Sequence, residues 1–327
     1  TLLSKIVPHI RRSWVVSDKK ELRQIASGEW LVFKNEKADG KYLSYYLTSD
    51  RFHAAFMNTV AGVGGSLNRA RPEHVYKILI PLPPIEEQRR IAKILDLVNH
   101  QIQKIETQLK KTTQLEKSLY YYYFGDPIIN QKNYITSEIR SLCKRLTVGI
   151  VVRPSSYYVD NGIPAIRSLN IRKEGLTDAQ MVFISEKDNN SIHKKTQLRA
   201  GDVISVRSGR PGTSCIVPPS YDGVNSIDIL ILTPDSRQIT SEYLCAFLNS
   251  PGGTQIVQKE SRGQVQKHLN VKSLSKSKIP IPSIETQNKF KASLYKLNNL
   301  KNSLEGKKAQ LVALEKALID SLLNQQS

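Results

Sequence analysis

Two short stretches decide how this chain is built: Ile80-Pro-Leu-Pro-Pro-Ile-Glu-Glu-Gln88 and Ile279-Pro-Ile-Pro-Ser-Ile-Glu-Thr-Gln287. They lie 199 residues apart. At that same offset Leu95 meets Leu294, Asn99 meets Asn298, and Glu106 meets Glu305. Leu115-Glu-Lys-Ser-Leu119 likewise meets Leu314-Glu-Lys-Ala-Leu318. No gap is needed over about forty positions, and chance does not hold one register that long. The chain is therefore duplicated. Upstream the likeness is looser: Tyr42-Leu-Ser-Tyr-Tyr-Leu47 resembles Tyr243-Leu-Cys-Ala-Phe-Leu248 at an offset of 201. Ser27–Lys34 is aligned with Ala200–Arg207, and Gly65-Ser66 before Arg71 with Gly263-Gln264 before Asn270.

After the first Pro-rich joint, Ile91, Leu95, Val98, Ile102, Ile105 and Leu109 recur at steps of four and three, the seam of a heptad helix. After the second, Leu297, Leu304, Leu311 and Leu318 are seven apart, with Leu300 and Leu314 expected at the alternate position and Lys307 breaking it. The residues between are Lys, Gln, Glu and Asn, so the stripe is narrow and suits a helix pair. Each helix is expected to run about 35 residues, or about 50 Å at 1.5 Å per residue. Pro81, Pro83 and Pro84, and again Pro280 and Pro282, cannot enter a helix interior and stiffen the hinge before it. Gly306 should weaken or bend the second helix. Tyr120-Tyr-Tyr-Tyr-Phe124 ends the first; base stacking is one use of such a run, and a packing plug against the next module is the favoured one.

Length, 327 residues, suggests about two domains. Lys and Arg total 48 against 29 Asp and Glu, a net charge of +19 with pI near 9.7. That surplus argues against an ordinary small-metabolite enzyme and asks for a polyanion, nucleic acid or an anionic membrane. The long periodic segments carry only +2 and +3 of it, so about +14 falls on the modules and linkers. There is no run of 18 apolar residues, and no signal-peptide core, since His9, Arg11, Arg12 and Lys19 interrupt the first thirty residues. Cys143, Cys215 and Cys245 are far apart and odd in number, which fits neither a zinc site nor a disulfide framework and suits a reducing cytoplasm.

The reading divides the chain into a partial first module (1–80), a joint and first helix (81–124), a linker (125–140), a second module (141–279), and a joint and second helix (280–327). The second module has strand candidates at 163–167, 181–185, 203–207, 214–217 and 227–233, separated by turns, and then helices at 241–249 and 252–259. The fold class is α+β: two modules joined by two long helices packed as an antiparallel coiled coil. Basic and amide residues cluster on loops: Ser66, Asn68, Arg69 and Arg71; Arg207, Ser208 and Arg210; and Arg262, Gln264, Gln266, Lys267, His268 and Asn270. Lys34, Arg153 and Arg167 complete the candidate set. Arg and Lys read guanine, Asn and Gln read adenine, and Ser binds phosphate, so these types suit a DNA groove; a solvated basic loop is the blander reading of each loop alone.

Phosphate-loop, HExxH, GxSxG and GxGxxG patterns are missing. Asp160, Asp202, Asp222 and Asp228 are scattered, and the six histidines show no ligand spacing. A binder is favoured over a catalyst. A coiled-coil adaptor that contacts nucleic acid without base specificity stands as the alternative, and a nuclease with a divergent site as a remoter one.

Ile80–Leu95 resembles the start of a helix in specificity subunits of type I restriction–modification systems, and Ala61–Leu67 and Leu198–Ile204 resemble segments of that family's target recognition domains. The resemblance covers nearly the whole chain and its joint occurs twice. It implies two target recognition domains, each reading half of a split sequence in double-stranded DNA, with two antiparallel helices as a spacer that docks two modification subunits. Those partners carry S-adenosylmethionine and methylate adenine, restriction subunits using ATP and magnesium join them, and the specificity subunit itself holds no catalytic residue and no cofactor. The second module has about 139 residues before its joint and the first about 80. Against the family the first recognition domain is thus expected to be short by roughly sixty residues, as a fragment, through a removed initiator Met, or as a shortened natural form.

Overall fold

A computed structural model describes residues 1–18, 21, 23–34, 36–62, 68–259, 269 and 271–324. The chain divides into two compact units, residues 1–111 with 301–327, and residues 112–300.

Unit 1 begins with three short strands, β1 (Leu2–Ser4), β2 (Ser13–Trp14) and β3 (Trp30–Val32), in the order β2-β1-β3, all antiparallel. Two helices follow, α1 (Gly40–Thr48) and α2 (Asp50–Met57). Asp39 caps α1 through its carboxylate and Ser49 caps α2 through its hydroxyl, each accepting otherwise orphaned N–H groups of a first turn. A small ladder, β4 (Val60–Ala61) with β5 (Arg69–Ala70), and one turn of helix, α3 (Pro72–Val75), lead to the first joint. From it rises α4 (Ile85–Phe124).

Unit 2 repeats this plan with more in front of it. Strand β6 (Thr136–Glu138) and a 3-10 turn at Ile139–Leu142 precede β7 (Cys143–Val148), so the end of the stretch expected as linker is structured. Then come β8 (Tyr158–Val159), β9 (Ile163–Ile166), β10 (Ile171–Arg172), β11 (Gly175–Leu176), β12 (Val182–Ile184) and α5 (Glu186–Asn190). The remaining strands are β13 (Val203–Val206), β14 (Ser214–Ile216), β15 (Asn225–Ser226) and β16 (Ile229–Pro234). Helices α6 (Ser241–Asn249), α7 (Pro251–Lys259) and α8 (Val271–Lys276), then β17 (Lys278–Pro280), lead to α9 (Ile284–Asn324). One sheet has the order β14-β13-β16-β7 and a second β15-β9-β12-β8.

The register of the strands shows what was duplicated. Leu2 stands between Trp14 and Val32, and Leu3 between Ser13 and Leu31. In unit 2, Val203 stands between Ile216 and Leu232, and Ile204 between Cys215 and Ile231. So β1, β2 and β3 correspond to β13, β14 and β16. This corrects the alignment of Ser27–Lys34 with Ala200–Arg207, because β3 feeds its helix pair as β16 does. Short β patterns give no register by themselves; partners fix it.

The joints repeat atom for atom. Gln88 Oε1 accepts from Asp39 N at 2.7 Å, and its Nε2 donates to the carbonyls of Lys37 and Pro83 at 2.9 and 2.8 Å. Gln287 Oε1 accepts from Thr240 N at 2.8 Å, and its Nε2 donates to Gln238 and Pro282 at 3.1 and 2.9 Å. Tyr42 Oη donates to the Pro81 carbonyl at 2.9 Å and Tyr243 Oη to that of Pro280 at 2.5 Å. In each joint a buried tyrosine hydroxyl thus serves the carbonyl of the first proline.

The helices are longer than expected, 40 and 41 residues, or about 60 Å each; α9 continues through Gly306. In unit 1, Ile91 and Leu95 of α4 share a core with Leu318, Leu322 and Leu323 of α9, and Lys308 Nζ meets Glu106 Oε1 at 2.7 Å. In unit 2, Tyr120, Tyr123 and Phe124 pack with Phe290, and Tyr123 Oη bonds Ser293 Oγ at 2.9 Å. Chain directions oppose in both, as an antiparallel pair requires. Of the expected seam, Leu95, Val98, Ile102, Ile105, Leu297 and Leu304 are buried, while Leu109, Leu311 and Leu318 are half-buried. Leu300 and Leu314, expected at the alternate position, are instead 50% and 47% exposed. That position is taken by Lys301, Lys308 and Glu315, all half-buried, whose methylene stems cover the seam while their charges stay in water. Among the described residues no helix is long and apolar enough to cross a membrane.

Candidate nucleic-acid interface

Unit 2 gathers most of the candidate residues that lie on described segments at one end of its β14-β13-β16-β7 sheet. Strands β7 and β13 end there, and β14 and β16 begin there. Gly149 N donates to the Ile229 carbonyl at 2.9 Å, Ile150 N to Ser226 at 2.8 Å, and Ile227 N to Ile166 at 2.8 Å. These bonds stitch the second sheet to the first. They bring four segments together: the run from Gly149 to Arg153, the end of β9 with Arg167, the Arg207–Gly212 turn, and Ile227–Asp228. Gly149 is required here, since a Cβ would lie 2.5 Å from the Ser226 carbonyl oxygen.

The arginines of this end do different things. Arg207 pairs through Nη1 with Asp228, donates from Nε to the Leu269 carbonyl at 3.2 Å, and accepts on its own carbonyl from Leu269 N at 3.0 Å. Its side chain is largely buried. It fastens the turn to the segment before α8. Asp228 holds a left-handed backbone, φ 48°, to reach it. Arg167 donates from Nη2 to the Gln180 carbonyl, and its Nε is buried with no partner among the described residues. Arg153 and Arg210 are exposed, and Ser208 is half-buried.

Several neighbours carried no signal in the sequence reading. Val151 and Val152, 49% and 71% exposed, extend from the same end beside Arg153; their only mark is an apolar run after a glycine. Lys194 and Lys195 are exposed on a 3-10 turn tied to β15, where Thr196 Oγ1 donates to Asn225 Oδ1 at 2.6 Å and Ser226 Oγ to the Thr196 carbonyl at 2.8 Å.

In unit 1 the corresponding end of the sheet holds Asn68, Arg69 and Arg71 around β5. Arg69 bonds Glu29 from both Nε and Nη2 at 3.2 to 3.3 Å, and Lys5 lies 3.9 Å from the same carboxylate. Arg71 is exposed. Lys34 is exposed at the other end of this sheet, near Thr1, so it is not brought together with them. Ser66, Arg262, Gln264, Gln266, Lys267, His268 and Asn270 lie outside the described residues.

Two of the scattered acids, Asp202 and Asp222, are engaged away from this end. Asp202, with no side-chain exposure, pairs with Arg145 Nη2 and accepts from Thr233 Oγ1 at 2.5 Å and from Arg199 N at 2.9 Å. Asp222 accepts from Ala200 N at 2.8 Å. Among the described residues no three His, Cys, Asp or Glu are grouped to hold a metal ion. Burial pushes the thiols of Cys143 and Cys215 up to about 12, which leaves them poor nucleophiles.

Comparison with known proteins places this arrangement. The chain is 24% identical over 323 residues to the type I restriction enzyme EcoBI specificity subunit of Escherichia coli, spanning 89% of this chain and 66% of that protein. It is 23% identical over 299 residues to the type I restriction enzyme MjaVIII specificity subunit of Methanocaldococcus jannaschii, spanning 87% and 68%. The chain thus spans about two thirds of the length of these relatives. In fold it is similar to a chain from a structure concerned with complex assembly and conformational transition of the type I R-M system, with a TM-score of 0.63, 20% identity, and coverage of 98% of this chain and 80% of that one. The sequence model described as "Type I restriction modification DNA specificity domain" matches residues 28–117 and 179–313. Those two stretches make up more than half of the chain and take in both Pro-rich joints, and on that ground the chain belongs to the type I restriction modification DNA specificity domain family.

Proposed function

We infer that this chain recognises double-stranded DNA sequence as a specificity subunit of a type I restriction–modification assembly. It reads a target in two parts, one for each module, and docks modification subunits and, with them, restriction subunits. The observation that carries the reading is the duplication itself: two modules with one strand register and one joint chemistry, whose basic residues gather at the same end of the sheet in each.

At that end the exposed Arg210 and Arg153 would reach guanine edges or phosphates, and Val151 and Val152 would meet thymine methyls. Arg207 and Arg69 position the loops rather than reach outward. No chemical step falls to this chain. Methyl transfer from S-adenosylmethionine, and cleavage supported by ATP and magnesium, belong to the partner subunits, and the assembly acts in the cytoplasm.

The test is selection from a pool of random duplexes by the chain together with its modification subunit, followed by sequencing of the bound fraction. A split motif enriched over the pool is expected. A bound fraction indistinguishable from the pool would leave only a sequence-independent nucleic-acid adaptor.

A further inference from the structure

Asn225 is fully buried beside the 3-10 turn that carries Lys194 and Lys195. Its Nδ2 donates to the His193 carbonyl at 3.1 Å and to Asn189 Oδ1 at 2.7 Å. Its Oδ1 accepts from Thr196 Oγ1 at 2.6 Å and from Ser226 N at 2.8 Å. One side chain thus holds both ends of the turn. Thr196 closes it: its N donates to the His193 carbonyl at 3.1 Å, and its Oγ1 lies 2.9 Å from the same oxygen. Just beyond, Arg145 Nη1 donates to the Gln197 carbonyl at 2.9 Å. A buried amide whose donors and acceptor are all met holds the backbone around it in one arrangement.

The same network reaches the end of the sheet that carries Arg153 and Arg167. Ser226 Oγ donates to the Thr196 carbonyl at 2.8 Å, while the Ser226 carbonyl accepts from Ile150 N at 2.8 Å. Ser226 is also the register partner of Ile166, the residue before Arg167. Past Arg153, the ring of Tyr157 meets that of His193 edge-on, with centroids 4.4 Å apart and planes at 83°. Tyr157 ends the 3-10 turn that follows Arg153. The basic turn is therefore tied on both sides of the run that holds Val151, Val152 and Arg153. Lys194 and Lys195 are exposed, and no carboxylate among the described residues pairs with either. An ammonium is a compact point charge on a flexible stem, which suits a phosphate oxygen better than the two-point contact that identifies a base. A charge that served only solubility would need no buried amide beside it.

We propose that Lys194 and Lys195 grip the phosphate backbone of the duplex beside the end that reads it, and that Asn225 and Thr196 are the positioning residues that hold them there. This rests on the reading of the chain as a DNA-recognition subunit. The two lysines supply affinity without sequence preference, and the network that fixes their turn also fixes the run before Arg153, so the backbone grip sets the register in which that run meets the bases. Thr196 separates positioning from bulk: Val keeps its shape and loses the hydroxyl, whereas Ser keeps the hydroxyl.

The experiment titrates a fluorescent duplex of random sequence with the full chain and its modification subunit over a series of salt concentrations. Lys194→Gln combined with Lys195→Gln should make the dependence of affinity on salt shallower by about two ions and weaken binding at low salt by about tenfold or more. The unfolding midpoint should stay in place, because both residues are exposed. Thr196→Val should make the salt dependence shallower in the same direction, and Thr196→Ser should keep that of the parent. A merely structural loss at Thr196 lowers the fraction of chain that binds and leaves the salt dependence of the remainder alone. The proposal is overturned by a salt dependence unchanged in the double lysine variant, or by one in Thr196→Val equal to the parent's. Loss of preference among duplexes with the salt dependence intact would overturn it too, and would make the lysines base readers. A parent chain that binds no duplex would overturn the DNA reading itself, and this proposal with it; a parent that binds beside variants of unaltered salt dependence overturns the proposal alone.

Discussion

The side-chain amide of Gln287 clamps Thr240, the N-cap of α6, to the foot of α9, and Gln88 clamps Asp39 to the foot of α4 in the same way. Both glutamines are buried. Each spends one acceptor and two donors on main-chain groups that have no helical partner. Gln287→Leu keeps the volume and strands one N–H and two carbonyls. A buried unmet group costs about 1–3 kcal/mol, so unfolding by urea should show a loss of about 3 kcal/mol with the slope unchanged. Gln88→Leu should match it. A loss under about 0.5 kcal/mol would mean that the joint is not held by this amide.

The seam of α9 offers a paired comparison. Leu304 is buried and Leu300, four residues before it, is half exposed. Leu304→Asp buries an unpaired carboxylate and should lower stability by several kcal/mol. Leu300→Asp should fall within about 0.5 kcal/mol of the parent. Circular dichroism during thermal unfolding reads both. Equal effects at the two sites would contradict the seam.

That comparison also shows what the sequence could carry. Leu297, Leu304, Leu311 and Leu318 announce a helix with one face inward, and the twin joints announce a duplication, because both signals are local. Leu300 and Leu314 continue the apolar count but sit on the wrong face, a distinction that depends on where the partner helix lies. The same holds for the strands. Val203–Val206 and Ile229–Pro234 read as strands from their own residues, whereas the match of β3 to β16 needed the pairing of Leu2 with Val32. At the candidate interface, Arg207 and Arg210 look alike in sequence; only Asp228, twenty-one residues on and in an unusual backbone conformation, separates them. Val151 and Val152 join the site through main-chain bonds between segments, and Lys194 and Lys195 through the side chains of Thr196 and Ser226; neither link leaves a trace in composition.

The buried thiols make a pH prediction. Burial raises Cys143 and Cys215 from an ordinary value near 9 to about 12, and Cys245 is raised also. A group held protonated in the folded state stabilises below its unfolded value and loses that contribution as pH rises. Between about pH 9 and 12 the unfolded chain sheds thiol protons that the folded chain keeps, so stability falls with pH. Replacing Cys143 and Cys215 by Ala should flatten that alkaline decline. At pH 8 a disulfide reagent should label the folded chain far more slowly than free cysteine, and three thiols should appear in urea. Fast labelling of the folded chain would contradict the burial.

Arg207 and Arg210 should part company under the same substitution. Arg207→Ala removes the partner of Asp228 and the bond to Leu269, so the Asp228 carboxylate loses its reason for a left-handed backbone. The pair is only partly buried on the acid's side, which discounts a fully buried pair's value; a loss of about 1–2 kcal/mol is expected. Asp228→Asn in that background should recover little of it, since the Asp228 carboxylate is 44% exposed and water already hydrates its unpaired charge. Arg210→Ala should leave the unfolding midpoint in place, because the residue is exposed. Its effect belongs in duplex titrations with the modification subunit. If Arg210 reads a base, discrimination between duplexes that differ at one position falls by about 1–3 kcal/mol while affinity for unrelated DNA holds. If it holds a phosphate, all duplexes weaken alike and the dependence on salt becomes shallower by about one ion. A stability loss for Arg210→Ala equal to that for Arg207→Ala would show that both arginines belong to the scaffold, and would move the reading surface toward Arg153 and the Lys194–Lys195 turn.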